Sequence, residues 1–394
     1  MMDIAQPRPS SPTNLPPEAL PPRRHWLRQL GALDWLYAFA LVLGAIFALR
    51  EYGDFMDVYD KGILILHVPI LAAIGWHWKA FRPYLAAVTV LSLTAIWLYQ
   101  GDLARAEQTF FLKYLISSQT AIMWMSALIF IATGAYWLGL LARSDFGDRT
   151  GTALTWIAVV MGTTGLFVRW YESYLVGPDV GHIPISNLYE VFVLFSLMTA
   201  LLYLYYELRY ATRKLGAFVL LVISAAVAFL LWYTFTRGAH EIQPLIPALQ
   251  SYWMKVHVPT NFIGYGAFAL AAMVGSAYLL AERGLLASRL PALRVLEDVM
   301  YKSIAIGFAF FTIATILGAL WAAEAWGTYW QWDPKETWAL IVWLNYATWL
   351  HMRLTKGLRG ALLAWWAVVG LLVTSFAFIG VNMFLSGLHS YGAL

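Results

Sequence analysis

Residues 326 to 336, WGTYWQWDPKE, set Trp326, Trp330 and Trp332 beside Asp333 in one short segment. With Trp321 and Trp338 at its edges and Tyr329 inside it, the segment 321–338 is crowded with aromatic rings. Tryptophan is enriched at membrane interfaces, so one or two of these indoles need no other role. An ordinary interfacial belt spreads its rings over many helix ends, whereas a cluster on one loop makes a continuous apolar platform. Such a platform suits a planar aromatic ligand, because each ring contact contributes about 0.5–1.5 kcal/mol beyond area burial. A porphyrin meets that description, as does a quinone or a lipid headgroup. Asp333 also has a purely structural reading: with Pro334 and Glu336 it spells a helix start of the capping-box kind.

The histidines discriminate among these ligands. The chain has eight of them and no cysteine, so thiolate ligation is excluded and imidazole is the strong transition-metal ligand that remains. His257 lies in SYWMKVHVPTNFIGYG, just before an apolar run, and His389 in FLSGLHSYG, just after the last one. Both are expected at the same membrane face as the tryptophan loop. Two neutral imidazoles facing each other across an indole-lined gap would ligate haem iron axially. His351 is expected about fifteen residues into the run that follows the loop, roughly 22 Å from it along a helix. An ionisable residue within a span marks a functional site, here a second haem position, unless the ring simply reaches interfacial water. The other ligand of that position would come from His77, at comparable depth, or from a partner. His25, His67 and His240 have no such surroundings, and His182, beside glycine and proline, reads as structural. Arg169, Arg237 and Lys255 are alternatives for pairing with ligand carboxylates.

These residues must be positioned by membrane helices. The 394 residues are 61% hydrophobic and 12% charged, far from the balance of a soluble domain. Apolar runs of roughly 17 to 25 residues recur along the chain, the length that crosses a hydrocarbon core as helix. The expected fold is an all-α polytopic transmembrane bundle of about eleven spans, the tenth at 336–355. Basic residues concentrate in alternate loops, among them WHWKAFR, ELRYATRKLG and RLTKGLR. The positive-inside rule then sets the N-terminus cytoplasmic and the C-terminus periplasmic, with the tryptophan loop outside. Residues 1–32 read as a disordered cytoplasmic tail without a cleavable signal peptide. Residues 33–142 read as a four-span group, and 151–394 as the core that carries the motifs. The net charge of +4 is scattered over short loops, which excludes a nucleic-acid partner.

The stretch WGTYWQWDPKETWALIVWLNYATWLHMR, supported by GHIPISNLYE and SYWMKVHVPTNFIGYG, resembles the tryptophan-rich signature of the CcsA/ResC proteins of System II cytochrome c synthase. The resemblance is strong over 151–394, and the first four spans look like those of longer bacterial members. Two System I proteins share the signature, a shorter haem-delivery protein and a much longer haem lyase subunit; chain length and the wording WDPKETWALI fit System II. The resemblance implies that His257 and His389 hold haem iron, that Trp326, Gly327, Trp330, Trp332 and Asp333 grip the haem, and that His351 is the family's histidine in the following helix. It implies binding of haem b at the outer face, and the lack of a transit peptide points to a bacterial inner membrane over a thylakoid, with that face periplasmic. It further implies thioether attachment to a Cys-x-x-Cys-His (CXXCH) apocytochrome c, a haem lyase activity exercised with a ResB/CcsB-type membrane partner, and haem transport. No catalytic acid or base is evident in the chain, and orientation of thiol and vinyl groups alone lowers a barrier by roughly 7–11 kcal/mol in favourable systems. The alternatives are a haem exporter or delivery protein without ligation activity, and a quinone-binding membrane subunit.

Overall fold

The structure, a computed structural model, describes residues 30–177 and 179–387. The described residues form helices and no strand. Eleven helices are long: α1 (Ala32–Tyr52), α2 (Val58–His77), α3 (Phe81–Tyr99), α4 (Ser118–Leu141), α5 (Asp145–Val176), α6 (Leu188–Arg209), α7 (Gly216–Arg237), α8 (Tyr252–Glu282), α9 (Leu293–Trp326), α10 (Pro334–Thr355) and α11 (Ala361–Phe384). Ten of these are long and apolar enough to cross a membrane, which makes the chain a multi-pass membrane protein. The exception is α10, the expected tenth span. Its sequence is interrupted by Lys335, Glu336, Asn345, His351 and Arg353, so length allows it to span but composition does not announce it.

The chain divides into two compact units at Arg82–Pro83. In the first, α1 and α2 pack together around Asp34, which is buried and ion-paired with Arg82. The Trp76 indole N–H donates to the Asp34 carbonyl at 2.9 Å, and the Tyr37 hydroxyl to the Leu71 carbonyl at 3.0 Å. Most large apolar side chains of α1, such as Leu33, Leu36 and Phe39, remain exposed, as lipid-facing residues should.

The second unit carries everything else. α4 lies along α5, and α8 along α9, the closest-packed pairs of the bundle. At Gly165 a Cβ would come within 2.7 Å of the Ile122 side chain, so a small residue is what lets α4 and α5 approach. Three carboxylates of α5 and α6 are buried, and each is answered by groups from other elements. Glu172 accepts from Tyr99 and from both the backbone and the hydroxyl of Ser118. Glu207 accepts from Tyr136, Tyr203 and Thr152 at 2.6–2.8 Å. Glu190 pairs with Arg169 at 2.7 Å and accepts twice from Ser186. Buried charges persist only when paired and hydrogen-bonded. These three act as internal staples.

α8, α10 and α11 are pinned by aromatic contacts. Phe268 stacks on Tyr346 with centroids 3.6 Å apart and planes 6° apart, and the Trp349 indole donates to the Leu363 carbonyl at 3.0 Å. α5, α8 and α9 have 32, 31 and 34 residues. At 1.5 Å per residue α9 is about 51 Å long, against a hydrocarbon core of about 30 Å. Helices of this length tilt or run past the apolar layer.

Candidate functional site: an indole-lined cavity at one helical end

α9 ends at Trp326 because Gly327 follows with φ +79°, the left-handed turn that glycine adopts without a steric penalty. The chain then crosses to α10, which begins at Asp333. The Asp333 carboxylate accepts from the Lys335 amide at 2.8 Å. In return the Glu336 carboxylate accepts from the amides of Asp333 and Gln331, at 3.2 and 2.7 Å. The capping box read from the sequence is therefore present, with both carboxylates buried. Its effect is to fix the loop at both ends.

Between α8, α9, the loop and α11 lies a cavity with about 830 Å³ of atom-free space, its open mouth included. Trp321, Trp326, Tyr329 and Trp330 supply its aromatic wall, and His257 opens onto it from α8. Trp332 is placed differently from its neighbours. It has φ +58°, is 68% exposed, and stands edge-on to Trp330 with centroids 5.8 Å apart. It buttresses the outer side of the loop, and Trp338 packs on Phe376 at 4.4 Å.

The environment of His257 sets its chemistry. Its Nδ1 lies 2.9 Å from the Ala314 carbonyl of α9, which can only accept, so Nδ1 carries the proton; in the neutral form of such a ring the lone pair lies on Nε2. A backbone carbonyl orienting a histidine in this way is the usual outer support of a metal-ligating ring. The Trp321 ring meets the imidazole edge-on at 5.7 Å. Gly318 is needed for this fit: a Cβ there would lie 2.9 Å from the His257 Cε1. Two further indoles tie the surroundings down. Trp253 donates to Glu324 at 2.8 Å, and Trp321 to the Ala248 carbonyl at 3.2 Å.

The final helix closes the cavity. α11 contains a π-helical turn, Phe376–Gly380, and Ala377 of that turn lines the cavity. Turns of this kind often sit at functional sites. Lys335 reaches across from α10: its Nζ donates to Asn382 Oδ1 at 2.8 Å and lies 3.4 Å from the Phe378 carbonyl. The chain leaving α11 passes against Asp333, so closely that a Cβ on Gly387 would lie 2.2 Å from Oδ2. His389, two residues further in sequence, lies outside the described residues.

The remaining histidines fall elsewhere. His351 is near the far end of α10, exposed, with Nδ1 3.3 Å from the Thr355 hydroxyl. It lines neither this cavity nor the other large one. His182 is buried with both ring nitrogens engaged, by the Val180 carbonyl and the Ser186 hydroxyl. Of the cations considered for ligand carboxylates, Arg169 is committed elsewhere: it is 2% exposed, pairs with Glu190, and donates to the carbonyls of His240 and Glu241. Gly318, Lys335, Glu336 and Ala377 were not legible as cavity residues. Lys335 and Glu336 read only as part of a helix start, and nothing in the sequence marks the register that brings Gly318 against His257.

Comparison with known proteins agrees with this architecture. Residues 185–389, just over half of the chain, match the family model described as Cytochrome C assembly protein. A cytochrome c biogenesis protein CcsA of Chlorella vulgaris is 34% identical, over 68% of this chain and 94% of its own length. The CcsA of Parasynechococcus marenigrum is 36% identical, over 62% and 87%. Among solved structures, cytochrome c haem lyase CcmF superposes with a TM-score of 0.53 at 18% identity, over 68% of this chain and 49% of that one, and so shares its fold. The chain belongs to the CcsA family of cytochrome c assembly proteins.

Proposed function

We propose that this chain is the haem-handling subunit of a System II cytochrome c synthase, resident in a bacterial inner membrane with its N-terminus cytoplasmic. In this reading the indole-lined cavity faces the periplasm and takes haem b as substrate. The observation that carries the reading is His257, held as its Nδ1–H tautomer by the Ala314 carbonyl and placed on a cavity walled by Trp321, Trp326 and Trp330. Nε2 of His257 is the iron ligand on one side, and His389 on the other. Trp326, Trp330 and Tyr329 lie against the macrocycle, and Gly327 and Asp333 hold the loop that presents them.

The chemistry needs orientation more than acid–base help. Each cysteine S–H of the apocytochrome CXXCH segment adds across one vinyl C=C of the haem. A C–S bond forms, the hydrogen goes to the other vinyl carbon, and nothing leaves. The histidine of that segment replaces one axial imidazole. The cavity contributes by keeping the ring fixed while the peptide docks. A chain without cysteine has no thiol of its own to compete for the vinyl groups. A ResB/CcsB-type partner completes the synthase, and His351 serves a second haem position with a ligand from that partner, on the route by which haem reaches the outer cavity.

The test is the absorption spectrum of the purified protein, paired with covalent haem attachment to a co-expressed apocytochrome c. The proposal expects a bis-histidine spectrum that is lost in His257→Ala and His389→Ala, with attachment restored by added imidazole. Intact attachment in both variants without imidazole would overturn the ligand assignment. Haem binding without any attachment in the presence of the partner would favour an exporter.

A further inference from the structure

The helix pair α9–α10 has a second cavity at its other end. Pro334 to Arg353 spans about 28 Å of helix, so this cavity lies a membrane's depth from the tryptophan loop. It has about 1160 Å³ of atom-free space, mouth included, and is lined by Arg294, Arg353 and Arg359 together with Tyr210, Tyr301 and Leu354. Glu297 and Asp298 also face it, but both are already answered. The Glu297 carboxylate accepts from the Gly360 amide at 2.9 Å. Asp298 pairs with Lys302 at 2.8 Å and accepts from the Tyr210 hydroxyl at 2.6 Å. Three guanidiniums therefore line the cavity beside two carboxylates, one of them already paired with Lys302.

The arginines differ in how they are held. Arg353 is anchored, donating to the Leu358 carbonyl at 3.3 Å and lying over the Tyr301 ring at 5.7 Å. Arg294 and Arg359 are exposed and donate no hydrogen bond among the described residues. Guanidinium is the group best suited to gripping a phosphate through paired N–H donors. Basic cavities between membrane helices, at the level where helices leave the bilayer, bind anionic headgroups. Leu354, at the rim, is 66% exposed and offers an apolar flank beside the charged interior.

The geometry points to a phosphodiester-binding site for an anionic phospholipid, with the headgroup among Arg294, Arg353 and Arg359 and the acyl chains running past Leu354. The shared chemistry is phosphate recognition; the apolar flank selects a lipid over a free phosphate ion. The site is separate from the indole-lined cavity, and only the folding control in its test rests on the haem reading proposed above.

The experiment uses the full chain, with its membrane partner where purification requires it, in nanodiscs of phosphatidylcholine mixed with phosphatidylglycerol. Lipid retained on release into detergent is measured by native mass spectrometry. The wild type is expected to enrich phosphatidylglycerol, and Arg294→Gln/Arg359→Gln, which leaves the anchored Arg353 in place, to lose about fivefold of that preference per arginine removed. Adding Arg353→Gln should abolish it. The absorption spectrum of bound haem reports on folding at the opposite end and is expected to be unchanged. A double variant that keeps both the spectrum and the wild-type lipid preference overturns the proposal. Equal protection of the wild type, and not of the double variant, by inorganic phosphate in pure phosphatidylcholine overturns the lipid assignment in favour of a soluble phosphate. If the double variant loses the spectrum, Arg359→Gln alone decides: an unchanged lipid preference there, with the spectrum intact, also sinks the site.

Discussion

The two cavities of the α9–α10 pair are built on the same two helices and share almost no chemistry. One end gathers Trp321, Trp326, Tyr329 and Trp330 around an imidazole whose tautomer is fixed by a backbone carbonyl. The other gathers three guanidiniums and two tyrosines, with no imidazole on its wall. The first is closed by neighbours that leave its wall little play: the capping box at Asp333, the Lys335 bridge to α11, and the Gly318–His257 contact. The second keeps two of its arginines on the surface. A rigid aromatic slot is suited to holding a flat ring in one orientation. A loose cationic rim is suited to a headgroup that comes and goes with the bilayer.

Substitutions should separate the ends. The largest effect is expected at His257→Ala. Under the proposed function His257 ligates the iron, so its removal leaves the haem unfixed, and a misplacement on the scale of 1 Å already costs about 10²-fold in rate. Attachment to apocytochrome should fall at least that far and recover with imidazole, while lipid retention at the arginine end stays at the wild-type level. Gly318→Ala follows. The new Cβ would sit 2.9 Å from Cε1, so the imidazole must shift off the Ala314 carbonyl. Loss of such an orienting bond costs about 10–100-fold in affinity for the bound metal. A haem titration of Gly318→Ala that overlays the wild type would show that the glycine does not set the ring position. Lys335→Met should come third. It breaks the tie between α10 and the π-turn of α11, and a haem titration should show weakening by about tenfold, the cost of about 1.4 kcal/mol for a charged hydrogen bond. Lys335→Arg should recover most of it.

How much of this was visible in the sequence differs between the two ends. The tryptophan loop was legible because tryptophan is rare enough for five in one short segment to stand out, and because Asp333, Pro334 and Glu336 spell a helix start. The helices were legible from run length, with α10 the hard case since Lys335, Glu336, Asn345, His351 and Arg353 dilute its apolar character. The π-turn at Phe376–Gly380 was not, because an inserted residue leaves an all-apolar run looking like any other. Nor were the staples at Glu172, Glu190 and Glu207. Their partners, such as Tyr99, Ser118 and Tyr136, lie on helices distant in sequence, and a single chain does not say which carboxylate meets which hydroxyl. Arg169 shows the same limit: its position suggested a ligand contact, and its three donors in fact hold Glu190 and the chain after α7. The arginine cavity was read only as loop charge, since concavity is not written in composition.

The smallest expected effect tests whether α10 joins the two ends functionally. His351 lies about 25 Å along α10 from Pro334 and is exposed toward whatever surrounds the helix, with the Thr355 hydroxyl as its near neighbour. In the function proposed above, a haem held by His351 takes its second ligand from the partner. His351→Ala in the isolated chain should therefore leave the bis-histidine spectrum of the outer cavity unchanged. In the complex with the partner, the same substitution should lower the haem-to-protein ratio by the content of one site, leaving the His257-dependent band intact. If His351→Ala removes the outer band as well, haem reaches the indole cavity only by way of the inner position, and the two ends of α10 are steps of one path. If it changes the ratio in neither preparation, His351 is an interfacial ring and the outer cavity loads directly from the bilayer or the periplasm.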